Sequence, residues 1–162
     1  MRGLVTPTAQ RTLQRYDASM HQLWTIGYQG RAQHDVIGLL VEAGVELLVD
    51  VRLRPMSRKP GFSKKALAAA LPLDGIAYEH RVALGTPLDI RGLFRAGELE
   101  EARRQYREYL VGAAAADLEW LEGEARKRPT AVLCFEFDPN ECHRRVIAQE
   151  LNSRHGYEIS DL

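Results

Sequence analysis

The sequence predicts an α/β domain: a three-layer sandwich with a mainly parallel central sheet, of the Rossmann or flavodoxin-like kind. Three observations carry the expectation. Strand-like and helix-like segments alternate along the chain. The middle strands, VELLVDV and TAVLCFEF, are apolar at almost every position, as strands covered on both faces are. The polar, chemistry-bearing residues gather directly after strands, where open α/β sheets place their sites.

The elements follow in order. Residues 1–21 are polar and without a clear period, so they are expected to form a flexible extension ahead of a single domain over 22–162. LWTIGY, 23–28, reads as the first strand. A polar turn over 29–34 leads to a helix that opens at Asp35, runs through VIGLLVEAG and stops at Gly44. VELLVDV, 45–51, is the second strand. Ser63 is placed to cap a helix over KKALAAAL. GIAYEH, 75–80, is the third strand. Residues 97–127 have helical period, with a bend expected near Gly112. TAVLCFEF, 130–137, is the fourth strand, followed by a helix over 139–154 and a last strand in GYEIS.

Composition narrows the function classes. The 162 residues suit one domain, with 45% apolar and 27% charged residues and a formal net charge of zero. A zero balance disfavours a protein that coats nucleic acid non-specifically, unless its charge is segregated. No apolar run approaches the length of a membrane span, and the first residues lack the apolar core of a signal peptide. A cytoplasmic location with no membrane partner is therefore expected. Both cysteines are expected to be reduced there, and no cofactor is expected.

The two cysteines lie in LCFEFDPNECHRR, 133–145. Asp138, Pro139 and Glu141 read as the start of a helix, with Asn140 as an alternative cap. Cys142, His143 and Arg144 then fall in or just past its first turn, where free N–H groups and the helix dipole favour anions and thiolates. Three readings of Cys142 stay open: a packing residue, a reactive thiol or a metal ligand. Cys134 lies inside an apolar strand and reads as core. Cys-x7-Cys is not a usual zinc spacing and no second close pair exists, so no metal site is expected. Glu136, at the strand's end, suits a general base or a partner for arginine.

The run from Arg52 to Lys65 carries Arg52, Arg54, Arg58, Lys59, Lys64 and Lys65 and no acidic residue. Pro55, Pro60 and Gly61 shape it, and Ser57 and Ser63 add hydroxyls. A loop of this kind after a buried strand presents a positive field, and arginine grips phosphate through paired donors. Asp50 is placed to fix Arg52. His80 ends the third strand, where an imidazole suits proton transfer or a phosphate contact. GYQGR, 27–31, offers close backbone approach and Tyr28 for stacking, but matches neither a dinucleotide fingerprint nor a Walker loop.

Taken together, TIGYQG, VDVRLRPMSRKPGFSKKAL, GIAYEHRVALGTP and LCFEFDPNECHRRVIAQEL resemble the bacterial family catalogued as domain of unknown function 488. The resemblance spans about residues 23–155. It implies a compact α/β domain in a bacterial or archaeal cytosol and supplies no activity. The segment after Leu84 reads Gly-Thr here, where many members read Gly-Gly. Two functions follow from the residues. The first is an enzyme on a phosphate-bearing substrate, a nucleotide or nucleic acid. In it Tyr28, Arg52, Ser57, Arg58, Lys64 and Arg144 bind, while Cys142, His143, Glu136 and His80 perform the chemistry. The second is a non-catalytic nucleic-acid-binding or regulatory module. The oligomeric state is left open.

Overall fold

The computed structural model describes residues 21–162. Five strands form one parallel sheet in the order β3-β2-β4-β1-β5. They are β1 (Gln22–Gly27), β2 (Leu47–Asp50), β3 (Ala77–His80), β4 (Thr130–Cys134) and β5 (Glu158–Asp161). The strands predicted from pattern are all present: β2, β3 and β4 are shorter than their predicted runs, β1 is displaced one residue toward the N-terminus, and β5 runs on to Asp161. The flexible extension predicted over 1–21 lies, apart from His21, outside the described residues.

Strand alternation divides the core into two layers. Trp24, Ile26, Leu48, Ala131 and Leu133 face α1 (Gln33–Glu42) and α2 (Lys64–Ala70). Leu23, Leu47, Val49, Val132 and Cys134 face the other layer. That layer is built from α3 (Leu88–Ala96), α4 (Leu99–Val111), α5 (Ala115–Lys127) and α6 (Arg144–His155). The three-layer α/β sandwich expected from sequence is thus the observed architecture. Among the described residues no helix is long and apolar enough to cross a membrane.

Several boundaries move for local reasons. Helix α1 opens at Gln33 and not at Asp35, because the Asp35 carboxylate reaches back to the Ala32 N–H at 3.2 Å, from inside the first turn. Gly44 ends it at φ 73°. The single bent helix predicted over 97–127 is two helices, separated by a turn at Gly112–Ala114. Residues 88–96, to which the sequence pattern assigns no element, form α3; the segment is short and carries Gly92 at its centre. Ser63 caps α2 as expected, its Oγ accepting from the Ala66 N–H at 3.1 Å. Ser63→Ala should lower stability by about 1 kcal/mol. The check is a lower urea midpoint at unchanged slope.

Candidate functional site

The central strands β2, β4 and β1 end side by side, and the chain leaves each of them into a polar loop. Above them lies a cavity of about 710 Å³. Tyr28, Gln29, Cys134 and Glu136 reach it from β1 and β4. Arg54, Ser57 and Arg58 reach it from the loop after β2, and Arg91, Phe94 and Arg95 from α3. Cys142 and His143 complete the floor. A site outside the carboxyl ends of the strands is where this architecture places ligands.

The floor is built by a short detour before α6. Asp138 Oδ1 accepts from the Asn140 N–H at 2.8 Å and starts a single 3-10 turn over Pro139–Glu141. The chain then extends at Cys142 (φ −128°, ψ 144°) before α6 begins at Arg144. The helix expected from residue 139 therefore starts five residues later. Cys142 lies ahead of its first turn, and His143 is the cap residue. The proline and aspartate favour a tight turn that stops, and the extended residue after it drops the thiol inward.

His143 is held from three sides. Its Nε2 lies 2.8 Å from the Val51 carbonyl oxygen, which can only accept, so Nε2 carries the proton. Tyr106 packs edge-on against the ring at 5.2 Å and anchors its own hydroxyl on the Leu84 carbonyl at 2.6 Å. Nδ1 is left facing sulfur: Cys142 Sγ at 3.7 Å and Cys134 Sγ at 3.8 Å. The Cys134 thiol also lies 3.2 Å from Glu136 Oε2, and the Arg144 N–H lies 3.5 Å from Cys142 Sγ. Both cysteines are free and buried, with no disulfide between them.

The thiols titrate as an unequal pair. The hydrogen bond to Cys142 and then burial push Cys134 well above the usual thiol range. Burial opposes ionisation of Cys142, but the Cys134 thiol and the positive charges of His143 and Arg144 outweigh it and hold Cys142 well below that range. Burial lowers His143, and the neighbouring Cys142 reverses this to a net rise. Burial and the Cys142 charge raise Glu136.

Not every expected ligand faces the cavity with free donors. Arg52 is only 5% exposed, and its guanidinium binds Asp50 Oδ1 at 2.8 Å and Oδ2 at 2.6 Å. It also donates to the Tyr28 hydroxyl at 2.9 Å and the Phe62 carbonyl at 2.8 Å. Burial lowers the pKa of Arg52, and its bonds to Asp50 raise it further than that, so the group stays charged. Arg144 is buried too, its guanidinium binding Thr25 Oγ1 and the Glu136 and Phe137 carbonyls. These two arginines shape the walls by fixing the loops after β2 and β4.

Tyr28 stacks on Phe62 at 4.3 Å and keeps one edge in the cavity. Lys64 is exposed on α2 and does not line the cavity. Nor does His80, whose Nε2 lies 2.8 Å from the Arg52 carbonyl oxygen and so donates to it. Of the residues singled out from sequence, the cavity gathers Tyr28, Arg52, Ser57, Arg58, Glu136, Cys142 and His143.

Sequence reasoning missed Cys134, Arg91 and Arg95. An apolar strand hides the last residue of β4, which is both core and cavity floor. The arginines lie on α3, an element without a clear sequence signal; their spacing of four on one helix face was the available clue.

The family profile described as Domain of unknown function DUF488 matches residues 33–151. The chain belongs to this family. The matched span holds β2 to β4, the basic loop, both cysteines and His143, so most of the cavity is family sequence. Comparison with curated proteins and with solved structures returned no match.

Proposed function

We propose that this DUF488 domain is an enzyme acting on a phosphate-bearing substrate, with the cavity as its substrate site. The observation that carries the reading is the wall of arginines. Arg54, Arg58, Arg91 and Arg95 line the cavity, and none has a side-chain hydrogen bond or ion pair among the described residues. Most other arginines of the domain are paired, several of them with carboxylates. The protein is neutral overall, and the cavity lining sets these four arginines against Glu136 and Glu141.

Guanidinium groups bind phosphate through paired, charge-assisted donors, and free ones incur no loss of existing bonds on binding. Phe94 and Phe135, the latter 44% exposed, offer apolar faces beside them for a base or another flat group. With phosphate on the arginine wall, the rest of the substrate reaches the floor of Cys142, His143 and Glu136. These three groups line the cavity together, with Cys142 Sγ 3.7 Å from His143 Nδ1.

Arg54→Ala and Arg58→Ala should each weaken binding of inorganic pyrophosphate or a nucleoside diphosphate about 10- to 100-fold, as lost charged hydrogen bonds do. Isothermal titration on the folded variants reads this directly. A short single-stranded oligonucleotide is the comparison ligand. Much tighter binding of the strand, with log affinity falling steeply against log salt, would favour the non-catalytic nucleic-acid module instead. Unchanged affinity for every probe in both variants would refute the phosphate site.

A further inference from the structure

We infer that the cavity floor is a metal site: Cys134, Cys142 and His143 hold one zinc-class divalent cation, with a fourth position open to the cavity. Their donor atoms, Sγ, Sγ and Nδ1, lie within 4.8 Å of one another, and all three residues are buried. A tetrahedral zinc with Zn–S of about 2.3 Å and Zn–N of about 2.0–2.1 Å sets its S and N ligands about 3.6 Å apart. Here the two S···N distances are 3.7 and 3.8 Å. The third pair, Sγ to Sγ, is within 4.8 Å, against about 3.8 Å for two thiolates on one tetrahedral zinc, so closing on an ion asks at most for the two sulfurs to draw together.

The surroundings are those of a metal ligand set. His143 donates Nε2–H to the Val51 carbonyl, which fixes the ring and turns Nδ1 toward both sulfurs. The Arg144 N–H points at Cys142 Sγ and stabilises a thiolate there. Tyr106 blocks the far side of the imidazole. Ligands come from the end of β4 and from the turn before α6, two rigid segments joined by eight residues' spacing in sequence. That spacing is why the pair does not read as a zinc motif, although the fold closes it.

Three protein ligands with a fourth position on a cavity are the pattern of a catalytic zinc, whereas structural sites use four protein ligands. Glu136 lies against Cys134 and lines the same cavity, outside the three-ligand set. It is placed to hydrogen-bond a water carried by the ion. Metal binding itself stands apart from the phosphate reading, and its test contains no phosphate.

The test is titration of the reduced, metal-free full chain with Co²⁺ alone, followed by competition with Zn²⁺. The expected result is one Co²⁺ per chain, with intense thiolate-to-cobalt charge-transfer absorption and tetrahedral visible bands, both erased by Zn²⁺. Cys142→Ala and Cys134→Ala should each keep no more than one thiolate's share of that absorption at saturation and bind at least ~100-fold more weakly, since even outer contacts of a metal site are worth 10- to 100-fold. Glu136→Gln should retain it. Imidazole-only binding elsewhere gives no thiolate band, so it counts against the site.

Should the alanine variants fail to fold, the wild-type protein still decides. Zn²⁺ must then protect both cysteines from alkylation in the native protein, mapped by mass. No thiolate band in the folded wild type, an unchanged band in a folded cysteine variant, or no protection by Zn²⁺ overturns the proposal. A positive metal result with failed arginine tests would leave the metal site standing without the phosphate site.

Discussion

Replacing Asp50 by alanine should destabilise the domain by about 3–5 kcal/mol, the cost of leaving a buried charge without its partner. Asp50 is fully buried at the end of β2. Its Oδ1 accepts from the Arg52 main-chain N–H at 3.1 Å and from Nε at 2.8 Å. Its Oδ2 accepts from Arg52 Nη2 and from the Tyr78 hydroxyl, both at 2.6 Å. Burial and the Asp50 charge hold Tyr78 in its protonated, donating form, with its pKa raised above the ordinary phenol value.

Without the carboxylate, a guanidinium that is itself nearly inaccessible keeps only the Tyr28 hydroxyl and the Phe62 carbonyl. Urea unfolding at neutral pH measures the loss. Arg52→Met combined with Asp50→Ala should recover part of it, because the unpaired charge is then gone. A loss below about 1 kcal/mol for Asp50→Ala would mean that Arg52 reaches water in solution, and that the loop it anchors is not held as described.

Gly27→Ala should cost about 3 kcal/mol, the upper part of the range for forcing volume into a packed site. A Cβ at Gly27 would lie 1.8 Å from the Glu136 carbonyl oxygen and 2.6 Å from its carbon. Both are backbone atoms, so no side-chain rotation relieves the overlap. The Glu136 carbonyl is also an acceptor for Arg144. Pushing it away therefore disturbs the anchor of the loop after β4 as well as the strand pair Gly27–Cys134. Thermal unfolding gives the stability. The same variant should weaken metal binding, since Cys134 and Glu136 move with that loop. Wild-type stability in Gly27→Ala would contradict the close approach of β1 to the loop after β4.

These two positions also mark what was legible in the sequence. Asp50, Arg52 and the apolar run before them announced a buried strand leading into a basic loop, and the pairing of Asp50 with Arg52 was readable from their spacing. The outcome for Arg52 was not. Whether an arginine binds an external phosphate or a neighbouring carboxylate depends on burial, and here Phe62 and Tyr28 close over it. The basic loop divided in the same way. Arg54 and Arg58 turn into the cavity, Lys59 turns to the Tyr28 carbonyl at 3.3 Å, and Lys64 stays on α2.

The sheet was readable because parallel strands covered on both faces are apolar at nearly every position. Helix α3 was not, because nine residues with a central glycine give too short a pattern. The meeting of Cys134 with Cys142 was hidden for a different reason. It depends on one extended residue after a 3-10 turn, and the capping residues there fit a regular helix equally well.

The central claim is that the cavity at the carboxyl edge of the sheet receives a phosphate group. At 18.3 kDa the ¹⁵N-labelled protein suits an amide-resolved NMR titration with inorganic pyrophosphate. The account predicts saturable shifts at Arg54, Ser57, Arg58, Arg91 and Glu136, abolished in the Arg54→Ala, Arg58→Ala double variant. Saturable shifts confined to another face, or none at these residues at millimolar pyrophosphate, would contradict it.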